Sequence, residues 1–224
     1  MLAISLAAAF WVALHFLVAG PLRPPLAARL GEQGFRGVFS ALSAAGLAWL
    51  IFAFRAAPYV PLWPPQPGGR YLALVLVFLA FILFPFSIAR SNPTLAGTDM
   101  ILQDRLPVHG MTRITRHPGL CAFALWAIAH LIVNGDLAGV LLFGAILVTA
   151  INGMVSIDRK RRRALGPAWD AFAAATSRVP FGAILAGRNR LHLEELSPWP
   201  AAIGVALFVA ALWLHERSGV SPLP

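Results

Sequence analysis

A chain of 224 residues that is 58% hydrophobic and only 12% charged is too apolar for a soluble domain, in which about 25% of residues are charged. Composition places it in a membrane and excludes a separate soluble domain, because apolar runs occupy most of the length. The net charge of +9 reads as membrane topology and not as nucleic-acid binding, since in such a protein the distribution of Lys and Arg means more than their sum.

Crossing ~30 Å of hydrocarbon takes ~17–25 helical residues. Six runs approach or meet that length: Leu2–Gly20, Val38–Phe54, Tyr71–Ala89, Pro118–Asn134, Leu137–Ile157 and Trp199–Leu214. The prediction is an all-α polytopic membrane protein with six transmembrane helices in one domain, residues 1–224. The first run has no basic n-region or clear small-residue cleavage site, so it reads as a retained span. Arg23, Arg29 and Arg36 follow span one; Arg90, Arg105, Arg113 and Arg116 follow span three; Arg159 to Arg163, Arg178, Arg188 and Arg190 follow span five. Only Arg55, Arg70 and Arg217 fall on the other side. The positive-inside rule then puts the three basic loops in the cytoplasm and both termini outside.

After span one, LRPPLAARLGEQGFRG sets Glu32 among three arginines. It is either an ordinary charged connection at the lipid surface or the start of a polar cluster built on charge-assisted hydrogen bonds. The loop PYVPLWPPQPGGR can be neither helix nor central strand, and its Tyr59 and Trp63 suit the membrane interface. Pro85 removes a backbone donor within span three and predicts a kink. In the connection that follows, Asn92-Pro93 and Gly97 signal turns, and His109 reads as solvent-exposed.

Spans four and five are joined by Asn134-Gly135-Asp136, short enough to force an antiparallel hairpin. Gly144, Thr149, Asn152, Gly153 and Ser156 form a small and polar stripe of the kind found where helices approach closely in lipid. Five consecutive basic residues, Arg159 to Arg163, then read as a cytoplasmic anchor on anionic lipid. Asp158, just before them, can pair with Arg116 across the hairpin. Trp169 and Phe172, three apart, predict the apolar face of a short interfacial helix.

The stretch MTRITRHPGLCAFALWAIAHLIVNGD, Met111 to Asp136, concentrates the candidate chemistry. Arg113, Arg116 and His117 stand outside the span that Pro118 opens, and His130 lies inside it. An ionisable side chain within a span marks either a functional site or an interhelical packing bond. His15 and His130 are the two histidines inside predicted spans, and two neutral imidazoles from different helices can supply the axial ligands of a haem. By depth alone His117 pairs with His15 as well as His130 does; His192 and His215 look ordinary. No CxxCH motif is present, so such a haem would be held non-covalently, and Cys121, the single cysteine, excludes an intrachain disulfide. A second chemistry fits the cytoplasmic side: Arg116-His117-Pro118, Asp158 and the segment Gly166–Phe172 look like the pattern of the isoprenylcysteine methyltransferases, which implies S-adenosylmethionine. Those enzymes carry a pair of glutamates where this chain has one aspartate and a run of bases.

Taken together, the His15 region HFLVAGPLR, GEQGFRGVFSALS, the Met111 to Asp136 stretch and DRKRRRALGPAWDAFAAATSRVPFGAIL resemble the NnrU family and its relative, the zeta-carotene isomerase of plants and cyanobacteria, over nearly the whole chain. Resemblance to NnrU implies a bacterial inner-membrane protein associated with denitrification, that is, with nitrite and nitric oxide reduction. It implies either a redox or nitric oxide responsive component or a non-catalytic assembly partner of nitric oxide reductase. Resemblance to the isomerase implies haem b whose redox state governs cis–trans isomerisation of a polyene, with His15 and His130 as the axial ligands. The isomerase pattern has a cysteine three residues before the second histidine; Ala127 stands there in this chain. The expected cytoplasmic polar cluster comprises Glu32, Arg36, Arg116, His117 and Asp158. The expected partners are membrane lipid, a lipophilic small molecule or nitric oxide, and nitric oxide reductase, with no nucleic acid.

Overall fold

In the computed structural model, residues 1–64, 66–89, 94, 108–219, 221 and 223 are described, and among them helices carry nearly all the regular structure. The predicted turns at Asn92-Pro93 and Gly97, and Arg90 and Arg105, lie outside those residues. In chain order the helices are α1 (Leu2–Ala13, continued by a π-helical turn Leu14–Val18), α2 (Arg23–Arg55), α3 (Gly69–Ala89), α4 (Met111–Ile114), α5 (Pro118–Asn134), α6 (Leu137–Leu165), α7 (Pro167–Ala175), α8 (Gly182–Leu185) and α9 (Pro198–Arg217).

Four of these, α2, α3, α6 and α9, are long and apolar enough to cross a membrane; α1 with its π-turn and α5 are shorter apolar helices. Their outer surfaces stay apolar. Phe52, Val75, Ile151 and Val209 are more than half exposed, which in water would be an aggregation surface and in lipid is the matched one. α2 runs past its apolar stretch at the N-terminal end, and Gly31 at φ 71° breaks it there. That backbone conformation comes without steric cost only to glycine.

The helices pack side by side in the order α2, α1, α6, α5, α3, α9. Small residues set the closeness: Ala7, Ala8, Ala53, Ala127, Ala138 and Ala145 pack with Ile4, Leu50, Leu142, Phe143 and Ile146 where α1, α2, α5 and α6 meet. With little hydrophobic drive between helices in lipid, such residues allow the close contact on which packing depends. Between α3 and α9 the critical residue is Gly204, where an added Cβ would lie 2.5 Å from the Phe81 carbonyl oxygen. In the predicted stripe of α6, Gly153 faces Leu120 of α5, while the Thr149 hydroxyl donates to the Ala145 carbonyl of its own helix at 2.7 Å.

The α5–α6 hairpin turns as predicted. Gly135 takes a left-handed φ of 31°, and the Asp136 side chain caps α6 by accepting from Gly139 N at 3.0 Å, as short acidic side chains do at helix starts. The proline-rich loop is fastened to that turn. Leu62 N and Trp63 N donate to the Gly135 carbonyl at 2.8 and 3.1 Å, and Leu137 N donates to Val60 O at 2.9 Å.

One expectation changes character. α7 forms as predicted, yet Trp169 and Phe172 are 0% and 2% exposed. They pack on each other with Val108, Leu165 and Ala173, so the apolar face that the spacing assigned to the lipid interface is turned into the protein. Tertiary contacts offered those rings a drier surface than the headgroup layer would.

Candidate functional site

At one end of the bundle, two basic segments, the entry to α5 and the stretch after α7, converge on Asp158 of α6. The α5 entry is shaped by Pro118 at its first turn, a position where the missing N–H costs nothing, and His117 stands at its N-cap. Backbone bonds stitch this entry to the segment after α7: Arg116 N donates to Ser177 O at 2.9 Å and Phe181 N to Ile114 O at 2.8 Å. The Thr115 hydroxyl donates to Arg178 O at 2.8 Å, and Cys121 Sγ to the same carbonyl at 3.2 Å. Phe181 closes the segment at φ 62°, a strained conformation for a bulky residue that surrounding contacts must hold in place.

This scaffold presents four side chains to one another. Arg116 donates from Nε to Asp158 Oδ1 at 3.1 Å and from Nη2 to Oδ2 at 2.7 Å. Arg178 donates from Nε to Oδ2 at 2.5 Å. His117 Nε2 lies 2.8 Å from Oδ1, and because an ionised carboxylate only accepts, the imidazole is the donor. Arg116, His117 and Asp158 are all buried. Burial is the largest influence on His117 and holds its pKa below the ordinary value, against the opposing pull of Asp158. A neutral ring donating through Nε2 leaves Nδ1 as an acceptor, and that atom is buried without a hydrogen-bond partner among the described residues. Asp158 is saturated by donors from three side chains; His117 Nδ1 is the open valence of the cluster. The acid that a methyltransferase would offer to the amino group of its cofactor is already engaged.

Of the expected polar cluster, Arg116, His117 and Asp158 are thus brought together, and Arg178 joins them. Glu32 pairs with Arg23 instead, at 2.8 Å, and Arg36 makes none of the hydrogen bonds to Asp158 among the described residues. Arg178 was unmarked in the sequence because nothing local distinguishes it from Arg188 or Arg190. A neighbouring clamp holds the start of α9: Arg113 grips Glu195 through two bonds of 2.7 Å, and Gly110 N donates to the same carboxylate at 2.6 Å. Hydrogen bonds from the Arg113 guanidinium, above all, bring the Glu195 carboxyl down to about 2.

The two span histidines share one local arrangement that sequence inspection passed over. Each follows a tryptophan by four residues, Trp11 to His15 and Trp126 to His130. Nδ1 of His15 meets the Trp11 carbonyl at 2.9 Å and Nδ1 of His130 the Trp126 carbonyl at 2.8 Å. The rings lie 4.2 and 4.4 Å from the indoles. A carbonyl only accepts, so Nδ1 carries the proton in both, and Nε2 of the neutral ring keeps its lone pair. This is the orientation that metal-binding histidines adopt when a second bond fixes the tautomer. His15 also sits inside the π-helical turn of α1, a distortion frequent at functional sites. The donor chemistry of both residues fits haem iron.

Their surroundings differ. His15 meets Phe39 of α2 at 5.3 Å. His130 stacks on Phe143 of α6 at 4.7 Å, and 6.2 Å away lies the ring of His215 from α9, a residue the sequence marked as ordinary. His130 lies near the start of α6, beside Phe143. His15 is one turn before Ala19, whose carbonyl accepts Lys160 Nζ near the end of that helix. The two thus occupy different levels on antiparallel helices.

The family description NnrU protein matches residues 3–222. The chain is similar to the chloroplastic 15-cis-zeta-carotene isomerase of Arabidopsis thaliana, 27% identical over 198 residues, covering 83% of this chain and 52% of that protein. It is also similar to the enzyme of the same name from Zea mays, 28% identical over 195 residues with the same coverage. The chain therefore spans about half the length of these curated relatives. No solved structure matches it.

Proposed function

The chain belongs to the NnrU family, and from that premise we propose that it is a six-span bacterial inner-membrane protein that holds haem b through His15 and His130 and acts as a cis–trans isomerase of a carotenoid or similar polyene. The observation that carries this reading is the repeated arrangement in which Nδ1 of each histidine is bonded to the tryptophan carbonyl four residues earlier, leaving Nε2 available. His15 and His130 would hold the haem, which would supply one-electron redox chemistry there. The protein's part is to set the tautomer, orient both rings and keep water away with Trp11, Phe39, Trp126 and Phe143. The names of the two curated relatives support polyene isomerisation as the activity. The basic segments gathered at the Asp158 end support a topology with that end in the cytoplasm and both termini outside.

A second reading has its own support. Ala127 is fully buried in the helix core at the place of the cysteine in the isomerase pattern, so no thiolate stands three residues before His130. This favours a redox or nitric oxide responsive component of denitrification over an isomerase that exchanges ligands.

Purified protein supplemented with haem is expected to give a six-coordinate, low-spin spectrum that His15→Ala and His130→Ala each abolish. A missing Soret band overturns the haem reading. If His215→Ala removes the spectrum and His15→Ala does not, the second ligand is His215. Conversion of a 15-cis polyene by the reduced protein supports the isomerase; binding of nitric oxide to the ferrous form without such conversion supports the second reading. Co-purification with nitric oxide reductase in the absence of any Soret band leaves the assembly role.

A further inference from the structure

The run Arg159 to Arg163 reads from sequence as a diffuse anchor, but the fold divides it. Val155, Asp158, Arg159, Arg162 and Arg163 follow the spacing that puts residues on one face of a helix, and together with Arg178 they line a cavity of about 250 Å³ at the end of α6. Lys160 points elsewhere, donating to the Ala19 carbonyl at the end of the first helix, where orphan acceptors need a donor.

The charge of this cavity is unbalanced. Four arginines line it against one acid, and Asp158 already accepts from Arg116, His117 and Arg178. Arg162 is tied from Nε to Asp170 at the surface, at 2.6 Å. Among the described residues, Arg159 and Arg163 make no side-chain hydrogen bond, and Arg178 uses only Nε. Several guanidinium forks therefore stand around one small space with donors to spare. Like charges brought this close are stabilised by an anion that accepts from several of them, and the planar fork matches phosphate oxygens in pairs. The volume lies below the roughly 300–1,000 Å³ of sites for drug-sized ligands, so it suits a headgroup-sized group. Val155 also lines the cavity, which therefore adjoins the apolar part of α6, as a site for a lipid headgroup would.

We propose that this cavity binds a phosphate-bearing anion, either the phosphate of an anionic lipid headgroup or a soluble phosphate, through Arg159, Arg163 and the free Nη groups of Arg178. The site is separate from the histidine pair in the spans and does not depend on haem.

The test uses the full chain in neutral detergent. Native mass spectrometry compares phosphatidylglycerol with phosphatidylcholine, and calorimetry measures inorganic phosphate and diphosphate. Arg159→Gln with Arg163→Gln is expected to weaken the bound anion by about tenfold or more. Arg161→Gln with Arg190→Gln, which removes the same charge from elsewhere, is expected to change it less than about twofold. Arg159→Lys with Arg163→Lys keeps the charge without the fork and is expected to fall between them. Preference for phosphatidylglycerol assigns the lipid as source; binding of diphosphate without that preference assigns the soluble anion. Equal losses in the two Gln pairs, or no binding of any of these anions by the unaltered chain, overturns the site.

Discussion

His117 Nε2 and Asp158 Oδ1 stand 2.8 Å apart although 41 residues separate them in the chain. The contact links the entry of α5 to the end of α6 and makes one buried carboxylate the meeting point of a histidine and two arginines. Its worth lies in mutual dependence: Arg116, His117 and Asp158 are buried together, each out of water on condition that the others are present.

Asp158→Asn is accordingly expected to destabilise the protein by about 3–5 kcal/mol, because it leaves buried Arg116 without its counter-charge. Arg178→Ala should cost less than about 1 kcal/mol, since the Arg178 side chain is 43% exposed and water can replace its partner. Thermal unfolding of the two variants in detergent compares them; equal losses would show that the carboxylate is not the keystone.

Glu195 provides the pH dependence. An unfolded glutamate titrates near about 4.3, whereas the Arg113 guanidinium brings the folded carboxyl down to about 2. A depressed folded pKa means stability fully present above the unfolded value and lost as pH falls toward the folded one. The unfolding temperature should therefore decline between about pH 5 and pH 2, and Glu195→Gln should flatten part of that decline. An unchanged slope in the variant would remove this clamp from the account.

Gly135 tests the hairpin. Its φ of 31° and the Trp63 carbonyl oxygen pressed against it leave no space for a Cβ, so Gly135→Ala should cost about 1–3 kcal/mol. Gly144→Ala, on the same hairpin with nothing within 4 Å of the added atom, should be neutral or slightly stabilising, as a helix interior gains from the exchange. Thermal unfolding of the pair measures the difference.

His117→Ala separates the surface cluster from the histidines of the spans. It is expected to lower stability, through loss of the bond to Asp158, while leaving any haem spectrum intact. Loss of the Soret band in this variant alone would move the ligand assignment from His130 to His117.

Much of this was legible in the chain itself, for local reasons. Apolar run lengths mark where the helices lie, Pro118 and Asn134-Gly135-Asp136 mark where α5 begins and ends, and the spacing of Asp158 from Arg116 across a short hairpin makes their pairing readable. Helix formation, capping and turn geometry depend on near neighbours in sequence, so near neighbours reveal them. The tertiary structure alone decided which faces meet. It set Arg178 beside Asp158, gave Glu32 to Arg23, turned Trp169 and Phe172 inward, brought His215 to His130, and drew Arg159, Arg162 and Arg163 around one cavity while Lys160 went to Ala19. Each of these depends on the rotation and height of one helix against another. That is settled by the fit of small residues such as Gly153 and Gly204 along whole interfaces, a sum of contacts that no short stretch of sequence contains.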